Sequence, residues 1–400
     1  MYLGDILAHF QPMTQKIKNI QVIPLVRRLN RAFQGSTYQI VSRNTLFVRV
    51  ETEEGILGEA FGGDEDIYQA KVVAVANEFL APRIIGMELL PIEELWQAMI
   101  STAPLPFHNR GIHTLDLINH AVLMQAIAII DLGLWDTLGK ALNKPVWRLL
   151  GGFRNKVPVI GIGGYHRSAG DLEGLVSEVE SFLAFGLSGI KLKVGSLQIT
   201  QDLKRVETLR KHFGKRLLLC CDANQAWTFD EALQFARGAK DYELEWLEEP
   251  IRWNDQLVGL RRLREETDIP IVAGQGEISS LGCRDLILNR CVDILNVDAT
   301  IAGGVTEWRR AATFAQMMNV KMGHHEEPQV ALHLLASVPN STYVEVFPDP
   351  ERDPMWHELP ENRPPIRDGY MEASEKPGFG LAYNREIIDI YRGDVARSLP

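Results

Sequence analysis

From residue 143 onwards the chain alternates short apolar segments with amphipathic ones, and this alternation limits its possible folds more than any other feature. Eight segments are strand candidates: Val157–Ile162, Gly189–Val194, Leu217–Asp222, Leu244–Glu249, Ile269–Ala273, Val292–Asp298, Val320–His325 and Thr342–Phe347. Helical periodicity between them indicates parallel strands joined by crossover helices. Eight such strands in about 200 residues fit a closed barrel. We therefore predict an α/β fold with a (β/α)8-type (TIM-like) barrel over residues 143–350.

The preceding part of the chain has a different pattern. Residues from Ile17 to Leu29 and from Thr45 to Glu59 alternate apolar and polar side chains, which predicts antiparallel strands. Helical periodicity then dominates as far as about Leu142. We expect an N-terminal tail over 1–15, a loop from Arg31 to Ser42, and an α+β domain over 16–142. The Pro-rich segment 351–400 should pack back on that domain.

Ionisable or amide side chains stand at or near the ends of most of the later strand candidates. They are Lys191, Lys193, Asp222, Asn224, Glu248, Gln275, Glu277, Asp298, His325 and Glu345. One polar residue at a strand end is commonly solvated surface. In a (β/α)8 barrel, however, the strand C-termini meet at the active face. The set as a whole therefore predicts an active site.

The segment Gly189–Gly195 carries Lys191 and Lys193 on one face, because side chains two apart in a strand point the same way. Taken alone, two such lysines would indicate a half-exposed strand with solvated side chains. Together with the acidic residues at the ends of the later strands, they indicate a charged site. Lysines crowded together next to a cation should have depressed pKa values, which suits a base near neutral pH.

Carboxylates or amides on neighbouring strands form the hard oxygen site that Mg²⁺ prefers. Such an ion can hold a substrate carboxylate and spread the charge that forms when the α-proton leaves. A lysine and a histidine would carry the protons, with Asp298 orienting His325. We therefore expect a small anionic carboxylate as substrate.

With these residues, and with the segment Ala128–Gly152, the chain resembles the enolase superfamily in its mandelate racemase-like subgroup of acid-sugar dehydratase type. The resemblance implies that the α+β domain caps a modified barrel, and that the reaction passes through an enediolate with Mg²⁺. It implies these roles: Lys191 beside the substrate carboxylate, Lys193 as acid/base, Asp222 and Glu248 as metal ligands, Asp298 and His325 as a dyad, and Glu345 and Asn224 as substrate contacts.

The third metal ligand departs from the family pattern, which usually places a Gly-Glu at the end of the fifth strand. Here that strand ends Ala273-Gly-Gln-Gly-Glu277. Strict register puts Gln275 at the ligand position, with Glu277 two residues on. Because a third anion helps to bind Mg²⁺ more than an amide does, we favour Glu277 and keep Gln275 as the alternative.

The function that follows is a Mg²⁺-dependent dehydratase of an aldonate or aldarate, giving a 2-keto-3-deoxy acid. The alternative is a racemase or epimerase of a 2-hydroxy acid with the same two bases, and the less favoured one is a catalytically silent binding or regulatory protein. A net charge of -10 and the lack of a basic cluster argue against nucleic acid. We expect no membrane partner, a cytoplasmic location, and a homo-oligomer.

Overall fold

The computed structural model describes residues 15–63, 67–101, 117–166 and 171–398. All but the last residue of the expected tail 1–15 therefore lies outside the described residues. The same holds for His108, Asn109 and Arg110, which we had considered as residues that could reach the substrate and interpreted as solvated loop.

The N-terminal domain begins with three antiparallel strands, β1 (Ile17–Gln34), β2 (Gln39–Thr52) and β3 (Leu57–Gly62). Their alternating apolar residues bury one face. The predicted loop from Arg31 to Ser42 is wrong, because β1 and β2 pair as far as Gln34 and Gln39 around a tight turn. Its polar composition reflects an exposed two-stranded ribbon rather than a loop.

Helices follow this sheet in the order α1 (Gln69–Ala74), a π-helical turn (Val75–Leu80), α2 (Ala81–Ile84), α3 (Ile92–Ile100) and α4 (Leu117–Ala141). Helix α4 lies against β2 at Gly133, where a Cβ would stand only 2.8 Å from Val50. The stretch His120–Ala141 is long and apolar enough to cross a membrane, but 89% of its most apolar window is buried inside the protein. In this fold it serves as the core helix of the N-terminal domain.

The barrel follows the short helix α5 (Val146–Leu149). Its eight strands are β4 (Lys156–Gly163), β5 (Gly189–Lys193), β6 (Leu218–Asp222), β7 (Leu247–Glu248), β8 (Ile271–Ala273), β9 (Ile294–Leu295), β10 (Lys321–Met322) and β11 (Val344–Val346). Seven helices connect them: α6 (Leu172–Ala184), α7 (Ile199–Phe213), α8 (Phe229–Ala239), α9 (Gln256–Glu266), α10 (Ser280–Leu288), α11 (Gly304–Met317) and α12 (Pro328–Ser337).

Neighbouring barrel strands pair in parallel from β4 through β10. The ring closes where β11 pairs with β4 and where Met322 bridges to Ser341. The predicted barrel with an N-terminal α+β domain is therefore confirmed. The eighth helix is replaced by a C-terminal segment that begins with α13 (Pro354–Glu358).

That C-terminal segment touches both parts of the molecule. Strands β12 (Ile366–Arg367) and β13 (Tyr370–Glu372) form a hairpin that pairs antiparallel with the start of β4. Helix α14 (Arg385–Ser398) then contacts β1. Both guanidinium NH2 groups of Arg385 donate to the Glu59 carboxylate of β3, each at 2.6 Å. The chain thus returns to the N-terminal domain.

Candidate active site

Strand register places the last residues of β5, β6 and β7, all of them ionisable, at one level. Lys193 stands opposite Asp222, and Asp222 stands opposite Glu248. Ile190 and Leu192 alternate with the two lysines and join the apolar core outside the barrel. The period of two therefore directs both ammonium groups to the opposite side, towards the carboxylates.

Lys191 is completely buried and lies among three carboxylates. Its Nζ lies 2.6 Å from Glu345 Oε1, 2.8 Å from Glu248 Oε1 and 3.8 Å from Asp222 Oδ2. Burial alone would lower the pKa of Lys191, but these three carboxylates outweigh it and raise the pKa above its usual value. Lys191 is thus a fixed positive charge.

Lys193 is also buried, and its Nζ donates to Asp222 Oδ2 at 2.7 Å and to Asn224 Oδ1 at 3.0 Å. We expected depressed pKa values for lysines beside a bound cation, whereas the carboxylates that contact the two lysines act in the opposite direction. Burial disfavours the charged form of Lys193, but the Asp222 carboxylate outweighs it and holds the pKa well above the ordinary value. Acidic residues at the ends of later strands were the expected partners of the two lysines, and Asp222, Glu248 and Glu345 are the carboxylates that contact them.

The candidate metal donors lie among buried polar groups. Asp222 and Glu248 are buried on adjacent strands, and Asn296 and Trp246 each donate a hydrogen bond to Glu248. Gln275 Oε1 is buried and accepts no hydrogen bond from the residues that the structure describes. Two carboxylates and an amide oxygen without a donor are a donor set that suits Mg²⁺.

Glu277, our preferred third ligand, does not face this site. Its carboxylate accepts from Gln256 Nε2 at 2.7 Å and lies against Gly282 of α10. The reason is that β8 ends at Ala273 and Gly274 has φ +133°, so the alternation of a strand does not continue to residue 277. Within the described ranges no three His, Cys, Asp or Glu side chains form a metal cluster. Gln275 is the better-placed third donor.

His325 and Asp298 form a pair at the ends of β10 and β9. His325 Nδ1 lies 3.2 Å from Asp298 Oδ2, while Thr300 donates to the other oxygen, Oδ1, from its backbone N and its hydroxyl, each at 2.7 Å. Burial disfavours the imidazolium form, but Glu326 and Asp298 outweigh it and raise the pKa of His325 to about 9. His325 can therefore donate a proton at neutral pH.

His324 points away from the cavity and is completely buried. Its Nε2 accepts from Ala299 N at 3.0 Å, and its Nδ1 lies 3.0 Å from the carbonyl oxygen of His325. These contacts assign the proton to Nδ1. Burial lowers the pKa of His324, which keeps the ring neutral. His324 thus fixes the backbone that presents its neighbour.

The β1–β2 hairpin closes over the barrel and supplies residues that the sequence did not single out. Tyr38 OH donates to Asn224 Oδ1 at 3.0 Å, and Arg43 donates to Glu327 at 2.8 Å. Glu326 and Arg352 also reach the site. We had interpreted Glu326 and Glu327 from the sequence as loop residues over the site without giving either a role, whereas Arg352 lies beyond the last barrel strand and carried no signal.

A cavity of about 310 Å³ opens between the hairpin and the barrel. It is lined by Tyr38, Gln39, Ile40, Val41, Ser42, Asn44, Lys193, Asn224, Gln275, His325, Glu326 and Arg352. Of the expected catalytic and ligand residues, Lys193, Asn224, Gln275 and His325 reach this surface, while Lys191, Asp222, Glu248 and Glu345 lie behind it as buried partners. The cavity brings a lysine and a histidine to one small space.

Comparison with known proteins supports the two-domain fold over most of the chain. Residues 19–151 match the family model of the mandelate racemase/muconate lactonizing enzyme N-terminal domain, and residues 174–387 match the enolase C-terminal domain-like model. A 3,6-anhydro-α-L-galactonate cycloisomerase from Streptomyces coelicolor is 30% identical over 92% of this chain and 95% of its own. An arabinonate dehydratase from Saccharolobus solfataricus is 29% identical over 86% and 89% of the two chains.

Solved structures agree with these matches. A crystal structure of a mandelate racemase/muconate lactonizing enzyme from a marine actinobacterium, in complex with magnesium, has a TM-score of 0.84 and 36% identity. The match covers 94% of this chain and 99% of the other. The chain therefore belongs to the mandelate racemase/muconate lactonizing enzyme family of the enolase superfamily.

Proposed function

We propose that this protein is a Mg²⁺-dependent dehydratase of an acid sugar, of the aldonate or aldarate class. The observation that carries the proposal is that Lys193 and His325, backed by Asp222 and Asp298, line one cavity beside candidate metal donors. Relatives named arabinonate dehydratase and L-talarate/galactarate dehydratase support the substrate class. The magnesium-bound relative supports the cofactor.

Asp222, Glu248 and Gln275 would hold the Mg²⁺ ion. When bound there, a divalent cation stabilises the negative charge that develops on a substrate carboxylate as its α-proton leaves. Lys191 holds Glu345 and Glu248 in place and adds a buried positive charge for the same carboxylate. Asn224 is held between Tyr38 and Lys193 and offers an amide to the substrate.

The chain's own residues then move two protons. Lys193 takes the α-proton as the C–H bond breaks, which requires that its contact with Asp222 open and leave Nζ neutral. His325 Nε2 gives its proton to the β-hydroxide as the C–O bond breaks, and water leaves. The enol gains a proton at the β-carbon and loses one from oxygen to become a 2-keto-3-deoxy acid. One net proton transfer from Lys193 to His325 restores the enzyme.

Two related outcomes use the same first step. A 2-hydroxy-acid racemase or epimerase would return a proton to the α-carbon from the opposite face. The presence of both Lys193 and His325 in the cavity is compatible with that reaction. A cycloisomerase, the activity named for the Streptomyces coelicolor relative, would expel a ring oxygen in place of hydroxide. The raised pKa of His325 favours an acid at that position, which both elimination and racemisation require.

The proposal is tested by incubating purified protein with Mg²⁺ and a panel of aldonates, aldarates and uronates in deuterated water. We expect a 2-keto acid from at least one compound, and no product when the metal is omitted. Deuterium at the α-carbon of recovered substrate, without keto product, would instead indicate a racemase or epimerase. A panel with neither product nor exchange would contradict the proposed function.

A further inference from the structure

Glu326 is a carboxylate that the reaction described above does not use, although it faces the same cavity. Its Oε1 lies 3.4 Å from His325 Nε2, the nitrogen that Asp298 leaves free. The His325 ring therefore has a carboxylate on each side, Asp298 at Nδ1 and Glu326 at Nε2. Glu326 is only 6% exposed, so the contact is shielded from water.

The backbone accepts strain to place Glu326 there. Glu326 and Glu327 have φ values of +47° and +48°, in the left-handed region that side chains other than glycine rarely adopt. The Glu326 N–H donates to Glu345 Oε2 at 3.0 Å, which ties this turn to the buried carboxylate beside Lys191. Such strain persists where the surrounding structure enforces it and is frequent at functional sites.

Cations on several elements keep Glu326 ionised. Arg43 NH1 of the hairpin lies 3.6 Å from Glu326 Oε2, and Arg352 NH2 of the C-terminal segment lies 3.9 Å from Oε1. Burial would raise the pKa of Glu326, but His325, Arg352, Arg43 and Lys193 outweigh it and lower the pKa to about 2. The positive charge of Lys191, and that of His324 were it protonated, would instead disfavour the imidazolium form of His325.

We propose that Glu326 is a positioning residue of the dehydration: together with Asp298 it holds His325 as an imidazolium, so that Nε2 carries the proton needed by the departing hydroxide. This inference rests on the proposed function for its catalytic meaning. In the step itself the Nε2–H bond breaks, an O–H bond forms, and the C–O bond breaks to release water. Neutral His325 then regains its proton while Glu326 remains ionised throughout.

The test is the titration of the His325 ring by NMR in histidine-labelled protein without substrate. The chain has 10 histidines, and the His325 signal is the one missing from the spectrum of His325→Asn. In the unaltered protein we expect the titration midpoint of His325 near pH 9, because Glu326 and Asp298 raise its pKa to about 9. Glu326→Gln keeps the shape and removes the charge, so the midpoint should fall by about one pH unit or more.

Two further variants separate charge from structure. Glu326→Asp keeps the negative charge and should restore most of the shift. Glu327→Gln changes the next residue, whose carboxylate is paired with Arg43 at 2.8 Å, and should move the midpoint by less than about half a unit because that arginine offsets its charge. A midpoint unchanged in Glu326→Gln would overturn the proposal. So would a midpoint at or below about 6.5 in the unaltered protein, which needs no variant to fold.

Activity gives a separate result. If a sugar acid is dehydrated, the alkaline limb of the kcat/KM profile, which reports the free enzyme, should move to lower pH in Glu326→Gln by the same interval as the NMR midpoint. If no sugar acid is dehydrated, the proposed function fails while the titration still decides whether Glu326 controls the protonation of His325. An alkaline limb that stays in place while the NMR midpoint moves would overturn the catalytic part of the inference.

Discussion

At the scale of single residues, the site is a set of buried charges that hold one another in place. Lys191 and Lys193 are compensated by Glu345, Glu248 and Asp222. Removing one member of such a set leaves its partner buried and uncompensated, which costs about 3–5 kcal/mol. Isosteric replacements therefore probe function more cleanly than truncations to alanine.

Gln275 and Glu277 can be tested against each other as metal donors. Gln275→Glu should tighten Mg²⁺ binding, by about tenfold or more, because a carboxylate replaces an amide that already faces the cavity. Glu277→Gln is the matched control and should leave the Mg²⁺ Kd within about twofold, because its carboxylate bonds Gln256 instead. Isothermal titration of each variant with Mg²⁺ measures both constants. Weakened binding in Glu277→Gln would return Glu277 to the ligand set.

At the scale of elements, helix α4 joins the N-terminal domain to the barrel through Thr306 at the start of α11. The Thr306 hydroxyl donates to Asp131 Oδ1 at 2.7 Å and accepts from Trp135 Nε1 at 2.9 Å. The other oxygen of the same carboxylate, Asp131 Oδ2, accepts a hydrogen bond from Thr306 N at 2.9 Å. Thr306, Asp131 and Trp135 are all buried, so these hydrogen bonds form only when the two elements meet.

Thr306→Val should therefore destabilise the fold by about 3 kcal/mol, since it leaves a buried donor and a buried acceptor without partners. Thr208→Val, which removes an exposed hydroxyl from α7, should change stability by less than about 0.5 kcal/mol. Thermal unfolding of both variants measures the difference. Equal midpoints would show that the Asp131 contact does not hold the elements together.

The same contact predicts a pH dependence. Burial raises the pKa of Asp131 to about 7, although Thr306 opposes the rise. The folded protein thus keeps a proton that the unfolded chain loses near pH 4, and this residue's contribution to stability falls as the pH rises from about 4 to 7. Thr306→Val removes the hydroxyl bond and keeps the backbone bond, so one of the two opposing contacts is lost and the loss of stability should be larger at pH 8 than at pH 5. A loss independent of pH would contradict this assignment.

The sequence predicted the elements that obey a simple period. Lys193, Asp222 and Glu248 end neighbouring strands, and the structure places them at one level, with Lys191 two residues earlier on the same face of its strand. The same rule failed at Glu277, because Gly274 ends the alternation. It could not foresee that the hairpin would continue to Gln34 or bring Tyr38 to Asn224, since those contacts depend on how two domains meet.

At the scale of the whole molecule, the hairpin and the C-terminal segment close the open end of the barrel. Arg43 of β2 lies 2.8 Å from Glu327 and 3.4 Å from Asp353, so it joins the hairpin to a barrel loop and to the segment that follows β11. All three side chains are buried. The active cavity is consequently shared between domains, and neither domain alone would supply it.

We expect a homo-oligomer, and the exposed apolar side chains near α9 offer one surface at which to test it. Trp253, Leu257 and Val258 are 44%, 40% and 51% exposed at the start of α9, which places neighbouring apolar side chains in water. We expect a homo-oligomer, with a light-scattering mass at least twice the chain mass of 45.0 kDa. Leu257→Glu should lower that mass if this surface is the contact. A mass equal to one chain in the unaltered protein would contradict the expectation.

The assignment of Lys193 as the base and His325 as the acid is tested most directly by deuterium exchange in His325→Asn. The experiment uses a sugar acid that the unaltered enzyme dehydrates. Lys193 still takes the α-proton in this variant, but no acid reaches the hydroxide. We expect 2-keto product to form about 10³-fold more slowly, while recovered substrate carries deuterium at the α-carbon. Lys193→Met is the matched control and should lose both product and exchange. Undiminished dehydration by His325→Asn, or α-exchange that survives in Lys193→Met, would contradict the assignment of acid and base.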